Sequence, residues 1–168
     1  MDWEYYNKHI NRKTKGRCDV TPIFANYGVF DNLLNDLIEG FSDYDKIVGL
    51  DALGFVVGSA LAHKVGKGFI PMRKKDKLPC EKISIGFVDY TGNQKGFELS
   101  LHSIKENEKI LIVDEWIETG AQMRAAIELI EQLKGEVVGI SVLTAHKNDG
   151  TRILFNEYNL KAINIVED

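Results

Sequence analysis

The segment ILIVDEWIETGAQM, residues 110–123, constrains this chain more tightly than any other. Ile110, Leu111, Ile112 and Val113 read as a buried strand that runs directly into two adjacent carboxylates, Asp114 and Glu115. Thr119 and Gly120 follow as a turn, and Met123, Ala126, Ile127 and Ile130 then recur at helical spacing. This order places acids at a strand's carboxyl end beside the N-terminus of a helix. Carboxylates there can hold sugar hydroxyls or a hydrated Mg2+, which takes one or two carboxylates plus substrate oxygens. The helix start offers unpaired N–H groups and partial positive charge suited to a phosphate, and Thr119 adds a hydroxyl. The segment therefore predicts a site for a phosphorylated sugar. The plainer alternative is a junction whose acid or threonine only caps the helix, and spacing alone divides the two evenly.

The rest of the chain repeats the strand-turn-helix unit. Residues 47–50 read as a strand, 51–54 as a turn, and Phe55, Val56, Ser59, Ala60 and Ala62 as a small-residue helix with His63 near its solvent-facing end. Ahead of that unit, Asp19 and Thr21 before Pro22 suggest a turn, and residues 29–41 a helix with Gly40 near its end. Residues 1–18 show no clear periodicity and read as a locally basic lead-in that packs over something else. Residues 68–72 form a strand that empties into the basic run Arg73-Lys74-Lys75-Asp76-Lys77, which is either a solvated loop or a counter-charge for phosphate. Ile83, Ile85 and Phe87 alternate, as do Phe97, Leu99 and Leu101, around a turn-rich tip at 89–96; this predicts a long β-hairpin able to act as a lid. Strands at 137–143 and 162–166 and a turn of helix near 152–158 complete the pattern.

The sum is one α/β domain over residues 1–168, doubly wound around a mainly parallel sheet, with ligand at the strands' carboxyl ends. A chain of 168 residues with 44% hydrophobic and 27% charged content can bury a real core. Its net charge of −4 offers no electrostatic argument for nucleic acid or membrane binding. No apolar run approaches a membrane span, and the polar, aromatic start does not read as a signal peptide, so a cytoplasmic protein is expected. Cys18 and Cys80 lack metal-like spacing and read as reduced thiols.

The focal segment resembles the phosphoribosyl-diphosphate motif of the type I phosphoribosyltransferases: four apolar residues, two acids, three variable residues and a Thr-Gly phosphate loop. The resemblance extends over residues 19–143 and is strongest to the adenine branch. DVTP (19–22) resembles that branch's hood, IVGLDALGF its diphosphate loop, GFIPMRKKDKLP its basic segment, FVDYTG its catalytic flap, and AAIELIEQLKGEVVGISVL its following helix and strand. It implies a hood at about 1–28, a flap at about 81–102, and transfer of 5-phosphoribosyl from phosphoribosyl diphosphate to a purine in purine salvage, with Mg2+. Asp114 and Glu115 would hold the ribose hydroxyls and, directly or indirectly, the metal. Residues 118–122 (Glu118, Thr119, Gly120, Ala121, Gln122) would wrap the 5-phosphate. Arg73, Lys74 and Lys77 would meet the diphosphate, the first two from a neighbouring subunit in the homodimer the family implies. Ala52 and Leu53 belong to the diphosphate loop. Ile23, Leu53 and Trp116 would lie near the base, and Asp89 and Glu118 would be the catalytic carboxylates.

Four positions depart from the adenine pattern. Leu53 stands where that branch has arginine, and losing a guanidinium removes a bidentate contact. Asp89, before Tyr90, replaces a glutamate. Gln122 replaces threonine, and Glu118 replaces alanine at a position where 6-oxopurine enzymes use an aspartate. Glu118 equally suits helix-dipole complementation. These changes leave open a 6-oxopurine or other acceptor, or a non-catalytic sensor of nucleotide or phosphoribosyl diphosphate; adenine is the favoured base.

Overall fold

The computed structural model describes residues 2–14, 18–89 and 91–167. Lys15 and Arg17 of the basic lead-in and Tyr90 of the flap segment lie outside them. Seven strands form one sheet in the order β3-β4-β2-β1-β5-β6-β7. They are β1 (Lys46–Leu50), β2 (Gly68–Lys74), β3 (Lys82–Val88), β4 (Gln94–Ser100), β5 (Lys109–Ile117), β6 (Glu136–Lys147) and β7 (Leu160–Glu167). The pairs β2–β1, β1–β5, β5–β6 and β6–β7 are parallel; β4 pairs antiparallel with both β3 and β2. The alternation of apolar runs with helical spacing therefore yields the doubly wound sheet that it predicts.

Two clusters of apolar side chains fill the two faces. On one, helices α1 (Trp3–Asn7), α2 (Thr21–Phe24), α3 (Tyr27–Ile38) and α4 (Leu53–Val65) bury Ile23, Leu33, Leu37, Leu61, Leu111 and Leu143. On the other, α5 (Ala121–Gln132) and α6 (Arg152–Glu157) cover Ile112, Ile130, Ile140 and Phe97. Among the described residues no helix is long and apolar enough to cross a membrane.

Several boundaries differ from the sequence reading, each for a physical reason. The lead-in contains a helical turn, and its Tyr6 is buried with its hydroxyl donating to Asp36 at 2.8 Å. The turn at Pro22 is a short helix instead, because Pro suits the first turn and Asp19 accepts from the Thr21 N–H at 2.9 Å. α3 starts earlier, capped by Asn26, and ends before Phe41. α4 starts at Leu53, so Leu53 lies in its first turn and not in the preceding loop.

Three strands run further than their apolar cores. β2 includes Arg73 and Lys74, because β4 pairs with it there, Arg73 opposite Glu98 and Lys74 opposite Phe97. The hairpin is thus continuous with the main sheet and not a free insertion, and its turn shrinks to residues 89–93. β5 continues through both acids to Ile117, held on one side by β6, with Asp114 opposite Val142 and Trp116 opposite Thr144. Pairing with β1 on its other side stops at Val113. The acids therefore sit on a strand half-released from the sheet, and β6 extends to Lys147 beside them.

Candidate active site

A cleft of about 1040 Å³ opens at the carboxyl ends of β1, β5 and β6, roofed by the β3–β4 hairpin. Its floor is the acid strand. Asp114 is 8% exposed and accepts from the Glu115 N–H at 2.9 Å. The start of α4 comes close enough that a Cβ on Gly54 would lie 2.9 Å from Asp114 Oδ1. Glycine there lets the helix start approach the carboxylate. Asp114 and Glu115 face the cleft with Trp116 and Glu118.

Past Ile117 the chain turns through residues 118–120 into α5, forming a small concavity lined by Asp114 and by Glu118, Thr119, Gly120, Ala121 and Gln122. Gly120 takes φ +73°, a left-handed conformation that side chains strain. A Cβ there would also meet Gly150 O at 2.9 Å. The first N–H groups of α5 have no intrahelical acceptor and lie at this concavity. Thr119 Oγ1 receives the Ala121 N–H at 3.4 Å.

The sequence reading missed what holds this loop. Asn148 Nδ2 donates to Glu118 O at 3.0 Å, and Arg124 Nη1 donates to Thr119 O at 3.2 Å and to Gly150 O. Thr151, fully buried, ties the 146–151 turn together by donating to His146 O at 2.7 Å. The phosphate-type loop is therefore clamped from the far side by a turn about thirty residues away. An Asn-Asp-Gly run such as 148–150 favours a turn, a signal the sequence reading passed over, and nothing local shows what that turn would grip.

At the basic end the predicted residues separate. Lys74 and its neighbour Lys75 line the cleft, but Arg73 and Lys77 do not. Arg73 Nε sits 3.5 Å from Asp51, an ion pair without a directed hydrogen bond, and its guanidinium lies over the Phe55 ring at 6.0 Å. Lys74 Nζ is also 3.5 Å from Asp51, itself a cleft residue that the sequence reading left in a turn. Residues 76–78 direct their backbone N–H groups to the buried Glu98, at 2.7, 3.2 and 3.1 Å, and Lys82 Nζ pairs with the same carboxylate at 3.0 Å. Burial pushes the Glu98 carboxyl up, yet these donors outweigh it and hold it at about 2.

At the hairpin end Phe87, Asp89, Lys95 and Phe97 line the cleft, opposite Ala52 and Leu53. Asp89 Oδ1 accepts from the Thr91 N–H (2.9 Å), the Thr91 hydroxyl (2.6 Å) and the Asn93 N–H (3.1 Å). The Thr91 hydroxyl chiefly holds its carboxyl below the usual range. Ile23 is fully buried among the N-terminal helices and does not line the cleft; Val20 and Cys18, neither of which the sequence reading placed at the site, line it instead. Trp116 faces His146 with ring centroids 6.3 Å apart. His146 is a further cleft residue without a sequence signal, since it lies beyond the apolar core of β6.

Acid strand, clamped helix-start loop and roofing hairpin meet at one cleft on a doubly wound sheet. The phosphoribosyl transferase domain family matches residues 27–168, and the chain belongs to that family. Within it, the chain is 39% identical over 128 residues to an adenine phosphoribosyltransferase of Halothermothrix orenii, covering 74% of each. It is 42% identical over 125 residues to the adenine phosphoribosyltransferase of Clostridium botulinum strain Hall, covering 73% of this chain and 72% of the relative. The crystal structure of adenine phosphoribosyltransferase from Rhodothermus marinus superposes with a TM-score of 0.87 at 28% identity, over 98% of both chains. That of the Saccharomyces cerevisiae enzyme, complexed with an imino-altritol bisphosphate and adenine, superposes at 0.77 with 30% identity over 98% and 97% of the chains.

Proposed function

We propose that this chain is an adenine phosphoribosyltransferase of purine salvage. The bond from the ribose carbon to diphosphate breaks, a bond from that carbon to an adenine ring nitrogen forms, and the nitrogen gives up its proton. AMP and diphosphate leave. The observation that carries this reading is the meeting, in one cleft, of the Asp114–Glu115 pair with a clamped helix-start loop. The adenine enzymes among its relatives support the choice of base.

In this reading Asp114 and Glu115 hold the ribose hydroxyls and stabilise the positive charge that develops on the sugar. Residues 118–122 receive the 5-phosphate through backbone N–H groups and the Thr119 hydroxyl. Lys74 and Lys75 meet the diphosphate, releasing the hold of Asp51. Arg73 and Lys77 point elsewhere, which suits the service of a neighbouring subunit in a homodimer for Arg73. Leu53 and Trp116 flank the base. The hairpin excludes water that would intercept the sugar. Asp89 and Glu118 are the carboxylates placed to take the base proton, with Asp89 occupied by the hairpin tip.

Among the described residues no cluster of three or more His, Cys, Asp or Glu side chains could cage a metal. Two adjacent carboxylates at the acid strand instead fit a Mg2+ that completes its shell with substrate oxygens. Asp114 and Glu115 would hold it, and when bound it neutralises charge on the diphosphate. A cytoplasmic location goes with this reading.

The test is diphosphate release from phosphoribosyl diphosphate with Mg2+ and, in parallel, adenine, hypoxanthine, guanine and xanthine. Release with adenine alone is expected. Release only with a 6-oxopurine would overturn the assignment and make Glu118 the proton acceptor. Silence with all four, with phosphoribosyl diphosphate still bound, would overturn the assignment in favour of another acceptor or a sensor.

A further inference from the structure

Glu98 lies outside the cleft, on the opposite face of β4 from Phe97, yet it is the most heavily hydrogen-bonded carboxylate described above. It sits at the seam of three strands, opposite Ser84 of β3 and Arg73 of β2. Three consecutive N–H groups, those of Asp76, Lys77 and Leu78, converge on it, and Lys82 closes the set. Consecutive N–H groups turned inward form an anion-binding concavity, and here the protein's own carboxylate fills it. The consequence falls on the residues just before. Lys75 donates its N–H to Gly96 O at 2.9 Å, and Lys74 and Lys75 are the members of the basic run that line the cleft.

We propose that Glu98 is a positioning residue for the diphosphate leaving group. By anchoring residues 76–78 behind the hairpin, it fixes Lys74 and Lys75 toward the cleft and couples them to the strand that carries Lys95. The inference rests on the phosphoribosyltransferase reading and deepens it: the basic segment is held as a rigid arm by a buried acid, not left as a solvated loop. Because the anchor grips backbone, the segment's shape depends on Glu98 more than on its own side chains. A neutral amide at position 98 cannot accept from three N–H groups and an ammonium together, since its nitrogen only donates.

The experiment compares wild type, Glu98→Gln and Lys82→Met by calorimetric titration with diphosphate and, separately, with AMP, each with Mg2+, alongside thermal melts. AMP shares the sugar-phosphate and base contacts but lacks the leaving group. For Glu98→Gln the expected result is diphosphate affinity weakened about tenfold, with AMP affinity changed by less than about twofold. Lys82→Met should shift diphosphate binding about threefold in the same direction, and it decides the matter if the first variant does not fold. A folded variant whose diphosphate affinity is unchanged, or whose two affinities fall in parallel, would overturn the proposal. If wild type binds AMP but no diphosphate, the anchor fails alone. If wild type binds neither, the functional reading fails with it.

Discussion

The loop that opens α5 and the hairpin that faces it across the cleft are held in opposite ways. Residues 118–120 are gripped from outside, by Asn148 and by Arg124 bridging Thr119 to Gly150, with Gly120 wedged where no side chain fits. The bonds among the described residues of the hairpin tip are local: Asp89, Thr91 and Asn93 bond one another within five residues. A loop braced across the fold keeps its donors in place before ligand arrives, which is what an anionic group of fixed shape requires. A tip whose bonds are local keeps them when it shifts, which is what a lid requires, while β4 stays paired to β2 at the hairpin's base. On the proposed function, the difference teaches that the chain is pre-organised at the sugar-phosphate end, with adjustment left to the end that meets the base.

Breaking the fixed end should cost most. Asp114→Asn leaves a group of the same shape and removes the charge beside the sugar, so kcat with adenine should fall by about 10²–10³ in steady-state assays with little change in melting temperature. A loss below tenfold would remove Asp114 from the chemistry. Gly120→Ala puts a methyl at φ +73° and 2.9 Å from Gly150 O; stability should drop by about 1–3 kcal/mol and KM for phosphoribosyl diphosphate should rise more than KM for adenine. An equal rise in both would mean the loop does not hold the phosphate.

At the adjustable end the effects should be smaller and confined to the base. Trp116→Ala should raise KM for adenine by about tenfold while leaving the affinity for ribose 5-phosphate unchanged, measured by titration. If both fall, the indole supports the acid strand and does not meet the base. Asp89→Asn keeps the Oδ1 acceptor that organises the tip but cannot take up the base proton, so kcat with adenine should fall by about tenfold. A change below about twofold would remove Asp89 from proton transfer and leave it holding the tip.

Much of the fold was legible because apolar runs and helical spacing report burial directly. Ile110 to Val113 announced β5, and the alternation of Ile83, Ile85 and Phe87 announced the hairpin. The strand ends were not legible. Asp114, Glu115 and Trp116 look like a strand's exit, yet β6 pairs with them as far as Ile117. Arg73 and Lys74 look like loop, yet β4 zips against them. In both cases pairing to a distant strand overrode the local polarity. The same limit hid the supports of the site. Asn148, Arg124 and Glu98 act through contacts many residues away, and each is an ordinary polar residue in its own neighbourhood. Ile23 shows the converse: it lies close to the site in the family's order of segments, but its side chain turns into the hood core.

The most direct test of the account is a crystal structure of the chain with AMP bound. The account places the phosphate against the N–H groups of residues 120–122, the ribose hydroxyls on Asp114 and Glu115, and the adenine between Leu53 and Trp116. A phosphate seated instead on Lys74 and Lys75, with the acid strand bare, would contradict it.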